Sequence, residues 1–233
     1  MSDFLGAIRG RVIRPGDAEY ESARRVYNAD IDRRPLLIVQ CADAADVVHC
    51  VNYARENKLL TAVRGGGHSA PGFGTCDGGL VIDLSRMRSV RVDPERRTAK
   101  VEGGCTWGDV DRATHPFGLA TPGGIISTTG VGGLTTGGGF GYLSRRYGLA
   151  CDNLISADIV TADGQIRTAN ADRNADLFGP SAVGAATSES LSPLSFVYTR
   201  SHSFTPVPFC IRWSRPPGSC GCSATLCVML RAR

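Results

Sequence analysis

Two stretches of this chain are so dense in glycine that they restrict its fold before any other feature is weighed. Residues 65–79 hold seven glycines in fifteen positions, and residues 123–141 hold nine in nineteen. An interior glycine weakens a helix or strand by roughly 0.5–1 kcal/mol relative to alanine, so neither stretch suits a long regular element. A loop that only reverses direction needs far fewer. Glycine at this density lets backbone approach another surface closely, with no Cβ in the way.

The segments around the two loops alternate between strand and helix patterns. Asp17 to Asn28 reads as a short helix with Asp17 at its N-cap and Ala23, Val26 and Tyr27 on one side. Leu36 to Val39 is a short apolar run suited to a buried strand. A helix from about Ala44 to Asn57 follows, with Asp43 at the N-cap, Asp46 three residues on, and Val47, Val48, Val51 and Ala54 as its apolar stripe. Thr61 to Arg64 is a second strand, which completes a βαβ unit. Beyond the first glycine loop, Leu80 to Leu84, Val90 to Val92 and Ala99 to Glu102 read as successive antiparallel strands, and Thr106 to His115 as a helix. Beyond the second, Leu154 to Thr161 and Gln165 to Thr168 form a hairpin around Asp163 and Gly164. The fold class is α+β with two α/β subdomains.

Composition separates the last quarter from the rest. The 233 residues carry 26 basic and 22 acidic side chains, for a net charge of +4. From Phe178 onward there are five arginines and one acid, so the preceding 177 residues are neutral. The same segment holds six of the 12 prolines but only four of the 29 glycines. No apolar run reaches the length needed to span a bilayer, and the N-terminus lacks the apolar stretch of a secretory signal, so a cytoplasmic protein is expected. Nine cysteines, an odd number without any N-x-Ser/Thr sequon, fit reduced thiols better than a disulfide framework.

The chemistry concentrates in the glycine loops. Gly65, Gly66 and Gly67, at the end of a strand, expose backbone N–H groups of the kind that cradle a diphosphate. No helix follows, which speaks against a Rossmann site. Ser127, Thr128 and Thr129 add hydroxyl donors to the second loop. His68 is the histidine beside a glycine loop; His49 and His115 belong to helices and His202 to the divergent tail. No cysteine, histidine and acid spacing resembles a metal site.

VRGGGHS, GGLVIDLSRM, GGCTWGDVD, STTGVGGLTTGGGFGYLSRRYGL, CDNLISADIVTADG and NADLF follow one another in this order. Their succession, nearly continuous from about Arg33 to Phe178, resembles the PCMH-type FAD-binding domain of the berberine bridge enzyme-like oxidases, within the vanillyl-alcohol oxidase superfamily. The resemblance implies a PCMH-type fold and FAD as cofactor. It implies that Arg64, Gly65, Gly66, Gly67, Ser69 and the Ser127, Thr128, Thr129, Gly130, Gly132 and Gly133 loop, with Gly138, hold the cofactor, and that the adenine lies near Ile159 and Val160. The histidine of RGGGH is joined covalently to the flavin in that family, which makes His68 the attachment position. Ile126 stands where some members carry a second, cysteinyl link, so a single bond is expected. Cys105 and Cys151 read as buried thiols.

The resemblance stops after NADLF. Read one base out of frame, codons compatible with Gly179 to Val183 spell Trp-Ala-Ile-Arg-Gly, and those from Ala185 spell Gly-Asn-Phe-Gly-Val, close to what the family carries there. The chain therefore divides into a lead segment, 1–32, an FAD-binding domain incomplete at its C-terminal end, 33–178, and an out-of-frame tail, 179–233, expected to be disordered. Cys220, Cys222 and Cys227 lack a fourth metal ligand, and the sparse tail arginines with Trp213 do not form a nucleic-acid patch. The resemblance implies oxidation of an alcohol, sugar or similar C–H donor, a small-molecule substrate, by hydride transfer to flavin with oxygen as acceptor. The catalytic base and the substrate wall are expected from a further domain. A non-catalytic flavin-binding remnant is the competing reading.

Overall fold

The computed structural model describes residues 2–178 and three strands beyond them, at 202–204, 209–214 and 223–228. Two larger sheets and a two-stranded one organise the described residues. The first contains β1 (Arg11–Ile13), β2 (Leu37–Gln40), β3 (Thr61–Arg64) and β4 (Leu80–Asp83) in the order β1-β2-β4-β3. Strand β4 runs parallel to both β2 and β3 and lies between them, while β1 pairs antiparallel with β2. The antiparallel assignment of Leu80 to Leu84 is thus corrected. The fifteen-residue glycine loop is long enough for the crossover that a parallel strand requires. Leu80, Val81 and Ile82 are fully buried, as expected for a strand covered on both faces.

Helix α1 (Ser2–Ala7) precedes β1, and helix α2 (Tyr20–Ala23) is only four residues long, not the twelve that the sequence pattern suggests. Asp17 does not cap it. Its carboxylate accepts from Arg14 N–H instead, which closes a turn, and the chain after α2 is held over the first glycine loop by Tyr27 N–H donating to the Gly67 carbonyl. These tertiary bonds outweigh the modest helix propensity of the segment.

Helix α3 (Ala44–Glu56) covers the sheet, burying Val47, Cys50, Val51 and Ala54 against Leu37, Val39, Leu80 and Ile82. Asp43 caps it by accepting from Ala45 and Asp46 N–H. Asp46 does not return to the cap. Fully buried, it accepts from the N–H groups of Arg9, Gly10 and Ala42, tying the N-terminal segment to the helix start. Asp46→Ala strands those three donors and is expected to cost about 2 kcal/mol, a fall of about 6 °C in Tm on thermal unfolding, with the helical signal of the folded chain unchanged.

The second sheet is built from β5 (Val90–Asp93), β6 (Thr98–Val101), β7 (Leu154–Val160) and β8 (Ile166–Asn170), with β9 (His202–Phe204) between β6 and β7. Without β9, the facing edges of β6 and β7 would leave their ladder groups unpaired. Helix α4 (Trp107–Thr114) starts at a capping box formed by Thr106 and Asp109. Trp107, Val110 and Val131 pack on Ala99 and Val101 as a second core. The β7–β8 hairpin turns at Gly164 with φ +79, as its sequence predicts. Within the tail, β10 (Phe209–Ser214) and β11 (Ser223–Val228) pair with each other, and the remainder of 179–233, including Cys220 and Cys222, lies outside the described residues. No helix among the described residues is long and apolar enough to cross a membrane.

Candidate functional site

Strand β3 delivers the first glycine loop. Its last residue, Arg64, sits opposite Asp83 in the β3–β4 register, and the two side chains form a buried ion pair at 2.8 Å. Asp83 also accepts from Ser85 N–H, and Arg64 donates to the Arg25 carbonyl at 3.4 Å. The guanidinium expected to serve a cofactor is therefore occupied within the protein. Its aliphatic stem is what borders the glycine loop.

The second glycine segment is stitched to the start of α4. Trp107 N–H donates to the Thr129 carbonyl, Gly108 N–H to Ser127, and Val131 N–H to Cys105, while Thr106 bridges Gly130. Gly130 then caps a six-residue helix, α5 (Val131–Thr136), which the glycine content had concealed. Gly123 and Gly124 lie on the buried Trp107 indole, where a Cβ on Gly123 would come within 2.5 Å of the ring. A last short helix, α6 (Ser144–Tyr147), follows.

The two glycine segments touch backbone to backbone. A Cβ on Gly66 would sit 2.3 Å from Gly130 N, and a Cβ on Gly130 would sit 2.3 Å from Gly66 N. Real Cβ atoms do not tolerate such distances, so these two glycines exist for the contact itself. Gly67 needs no side chain for a different reason, its left-handed φ of +71. Gly133 is different again, since a Cβ there would meet nothing within 4 Å.

Around this contact lies a cavity of about 410 Å³. Of the residues expected to hold a cofactor, Arg64, Gly65, Gly66, Gly67, His68, Ser69, Thr129, Gly130 and Gly133 line it. Ser127, Thr128, Gly132, Gly138 and Val160 do not. Gly138 is held in a turn after α5, its carbonyl accepting from Cys151 N–H, and Val160 is fully buried in the core beneath α3. Val63, Phe73, Gly74, Leu134 and Thr136 complete the lining and were missed by sequence reasoning. Phe73 was the one bulky apolar residue inside the first glycine run, a signal that could have drawn attention; Leu134 shared the second run with Ile125, Ile126, Val131 and Phe140 and carried no such signal. A second, more open cavity of about 540 Å³ lies on the other side of the first loop, between Tyr27, Gln40, Asp83 and Thr128.

His68 stands at the border of both cavities. Its Nε2 is 3.0 Å from Thr128 Oγ1 and its Nδ1 3.4 Å from Thr129 Oγ1. The Tyr27 ring stacks on the imidazole, with centroids 4.0 Å apart and planes 17° from parallel. Partial burial lowers the His68 pKa below the ordinary histidine value, favouring the neutral ring. A neutral imidazole has one donor and one acceptor nitrogen, and a pair of hydroxyls can serve both. The cysteines Cys41, Cys50, Cys76, Cys105 and Cys151 are free and buried, consistent with the reading of Cys105 and Cys151 as packing residues.

Comparison with known proteins gives this geometry a family. Residues 35–170 match the family model of the FAD binding domain. An FAD-linked oxidoreductase from Dictyostelium discoideum is 44% identical over 179 residues, covering 76% of this chain and 39% of that protein. The crystal structure of 6-hydroxy-D-nicotine oxidase from Arthrobacter nicotinovorans superposes with a TM-score of 0.80 at 34% identity, over 87% of this chain and 43% of that one. The berberine bridge enzyme-like protein 1 of Physcomitrella patens gives 0.80 at 30% identity, over 88% and 44%. The chain thus spans about two fifths of the length of these relatives. From the matched segment, the paired glycine loops and the shared fold, it follows that the chain belongs to the FAD-binding domain family, among the berberine bridge enzyme-like FAD-linked oxidases.

Proposed function

We propose that this chain is the cofactor domain of an FAD-dependent oxidoreductase, spanning residues 33–178, which carries FAD bonded through His68. The observation that carries the reading is the contact of Gly66 with Gly130, which joins two side-chain-poor backbones around one cavity and leaves His68 on its border. The residues fit the group. Gly65 to Gly67, Gly130 and Gly133 offer backbone to phosphate oxygens, Ser69 offers a hydroxyl, and the bare Gly133 leaves that wall open. Phe73 and Leu134 give apolar cover. Bound FAD supplies a hydride acceptor that oxygen can re-oxidise.

The substrate class is a small molecule with an oxidisable C–H bond, such as an alcohol or a sugar. Within the cavity lining the ionisable side chains are Arg64, already paired with Asp83, and His68. Neither is free to take the substrate proton, so the base belongs to residues beyond this lining. A cytoplasmic location agrees with the five free, buried thiols among the described residues.

Acid precipitation of the purified, FAD-loaded chain tests the attachment. Flavin absorbance is expected to stay with the wild-type pellet and to pass entirely into the supernatant for His68→Ala. A folded wild-type chain without flavin absorbance in excess FAD overturns the cofactor reading. A wild-type pellet without colour, from a chain that does bind FAD, overturns the covalent bond alone. A second reading, a flavin-binding remnant without catalysis, is favoured by the change in charge, proline and glycine content at Phe178. Flavin that binds but is reduced by no alcohol or sugar donor in anaerobic mixing supports it.

A further inference from the structure

We infer that Tyr27 is a positioning residue for His68, holding the imidazole plane in the one orientation that presents its Nδ1 edge to the cavity. The inference rests on the proposed role of His68 as the flavin attachment point.

The geometry constrains the ring from three sides. One face is covered by the Tyr27 ring, stacked at 4.0 Å and 17°. The Nε2 edge meets Thr128, which borders the more open cavity, and the Nδ1 edge meets Thr129, which borders the less open one. A half-turn about the Cβ–Cγ bond would put ring carbons against both hydroxyls and lose both hydrogen bonds. Rotation out of the plane would lose the stack. An imidazole so held can present only one edge to the cavity, and a group fixed in its reactive orientation avoids the entropy of finding it.

Tyr27 is itself held in place by backbone and not by a core. The residue is 66% exposed, an unusual setting for a tyrosine that serves packing alone. Its N–H donates to the Gly67 carbonyl at 3.0 Å, and the neighbouring Asn28 side chain donates to the Ala70 carbonyl at 2.9 Å. Two hydrogen bonds thus fasten residues 27 and 28 to the chain on either side of His68. Helix α2 has already ended at Ala23, four residues before Tyr27, which leaves the ring free to lie flat on the imidazole. The phenol oxygen has no part in the stack, so phenylalanine should replace tyrosine.

The test combines attachment with a readout on the flavin-free chain. Stacked aromatic pairs contribute about 0.5–1.5 kcal/mol, which corresponds to roughly a 2- to 13-fold change in a rate or population. Tyr27→Ala is expected to slow the appearance of acid-stable flavin by about fivefold or more, with the Kd for FAD changed less than twofold, and Tyr27→Phe to restore the wild-type rate. In the flavin-free chain, nitrogen NMR of His68 is expected to show one dominant neutral tautomer in wild type and Tyr27→Phe, and a mixture in Tyr27→Ala. Attachment and tautomer both unchanged in Tyr27→Ala overturn the positioning role. So does a Tyr27→Phe variant as impaired as Tyr27→Ala. Should the wild type bind FAD without any acid-stable bond, the covalent reading fails separately, and the tautomer measurement alone decides whether Tyr27 orients the ring.

Discussion

Asp83→Ala is expected to lower the Tm of the chain by about 10 °C, from a loss of about 3–5 kcal/mol. The Asp83 side chain is 3% exposed and that of Arg64 8%, so the truncation leaves a buried cation whose other partner is the Arg25 carbonyl at 3.4 Å. A buried pair is costly to break because the survivor keeps its desolvation penalty without compensation. Replacing both members with apolar residues of similar volume, Arg64→Met with Asp83→Leu, removes that penalty and should recover most of the lost stability. Thermal unfolding of the three proteins distinguishes the cases. A double variant no more stable than Asp83→Ala means the pair supplies more than mutual neutralisation. The pair also secures the end of β3 and its neighbour β4, where the glycine loop begins, so flavin retention should fall with stability in the single variant.

The second large effect lies at Gly66. Gly66→Ala forces a methyl group to within 2.3 Å of Gly130 N and 2.6 Å of Gly130 Cα, and neither is a side-chain end that can swing aside. The loops must separate. The expected cost is about 3 kcal/mol, the upper end of usual overpacking penalties, together with loss of bound flavin, because the cavity is formed by the contact. Gly130→Ala should reproduce the effect, since its methyl meets Gly66 N at the same distance. Gly133→Ala is the contrasting control. Its methyl meets nothing within 4 Å, and an alanine within α5 is favoured over glycine by up to about 1 kcal/mol. The Tm should hold or rise while flavin affinity drops, because the methyl narrows the cavity wall. Equal Tm values for Gly66→Ala and wild type would show that the two loops do not touch.

Much of the molecule was legible in local patterns. Asp43 and Thr106 marked the starts of α3 and α4, the Asp163–Gly164 pair marked the hairpin, and the apolar stripe of α3 marked the face it buries. Each of these depends on residues within a few positions of one another, where hydrogen-bond geometry and side-chain period follow directly from the order of residues. The expectation of a helix from Asp17 to Asn28 failed in its extent for the opposite reason: Tyr27, in its second half, is claimed by the Gly67 carbonyl, forty residues away. Strand β4 was placed in the wrong kind of pairing because an apolar run does not reveal which neighbours it will find.

The candidate site divides along the same line. From the order of residues alone came two glycine-dense segments, the histidine beside one and the hydroxyls within the other, and with them the family. Tertiary structure alone decided that Gly66 meets Gly130, that Arg64 turns to Asp83 and away from the cavity, that Val160 belongs to the core, and that Tyr27 lies on His68. Each is a contact between residues nineteen or more positions apart, and the chain order contains no term for that distance until the sheets have closed.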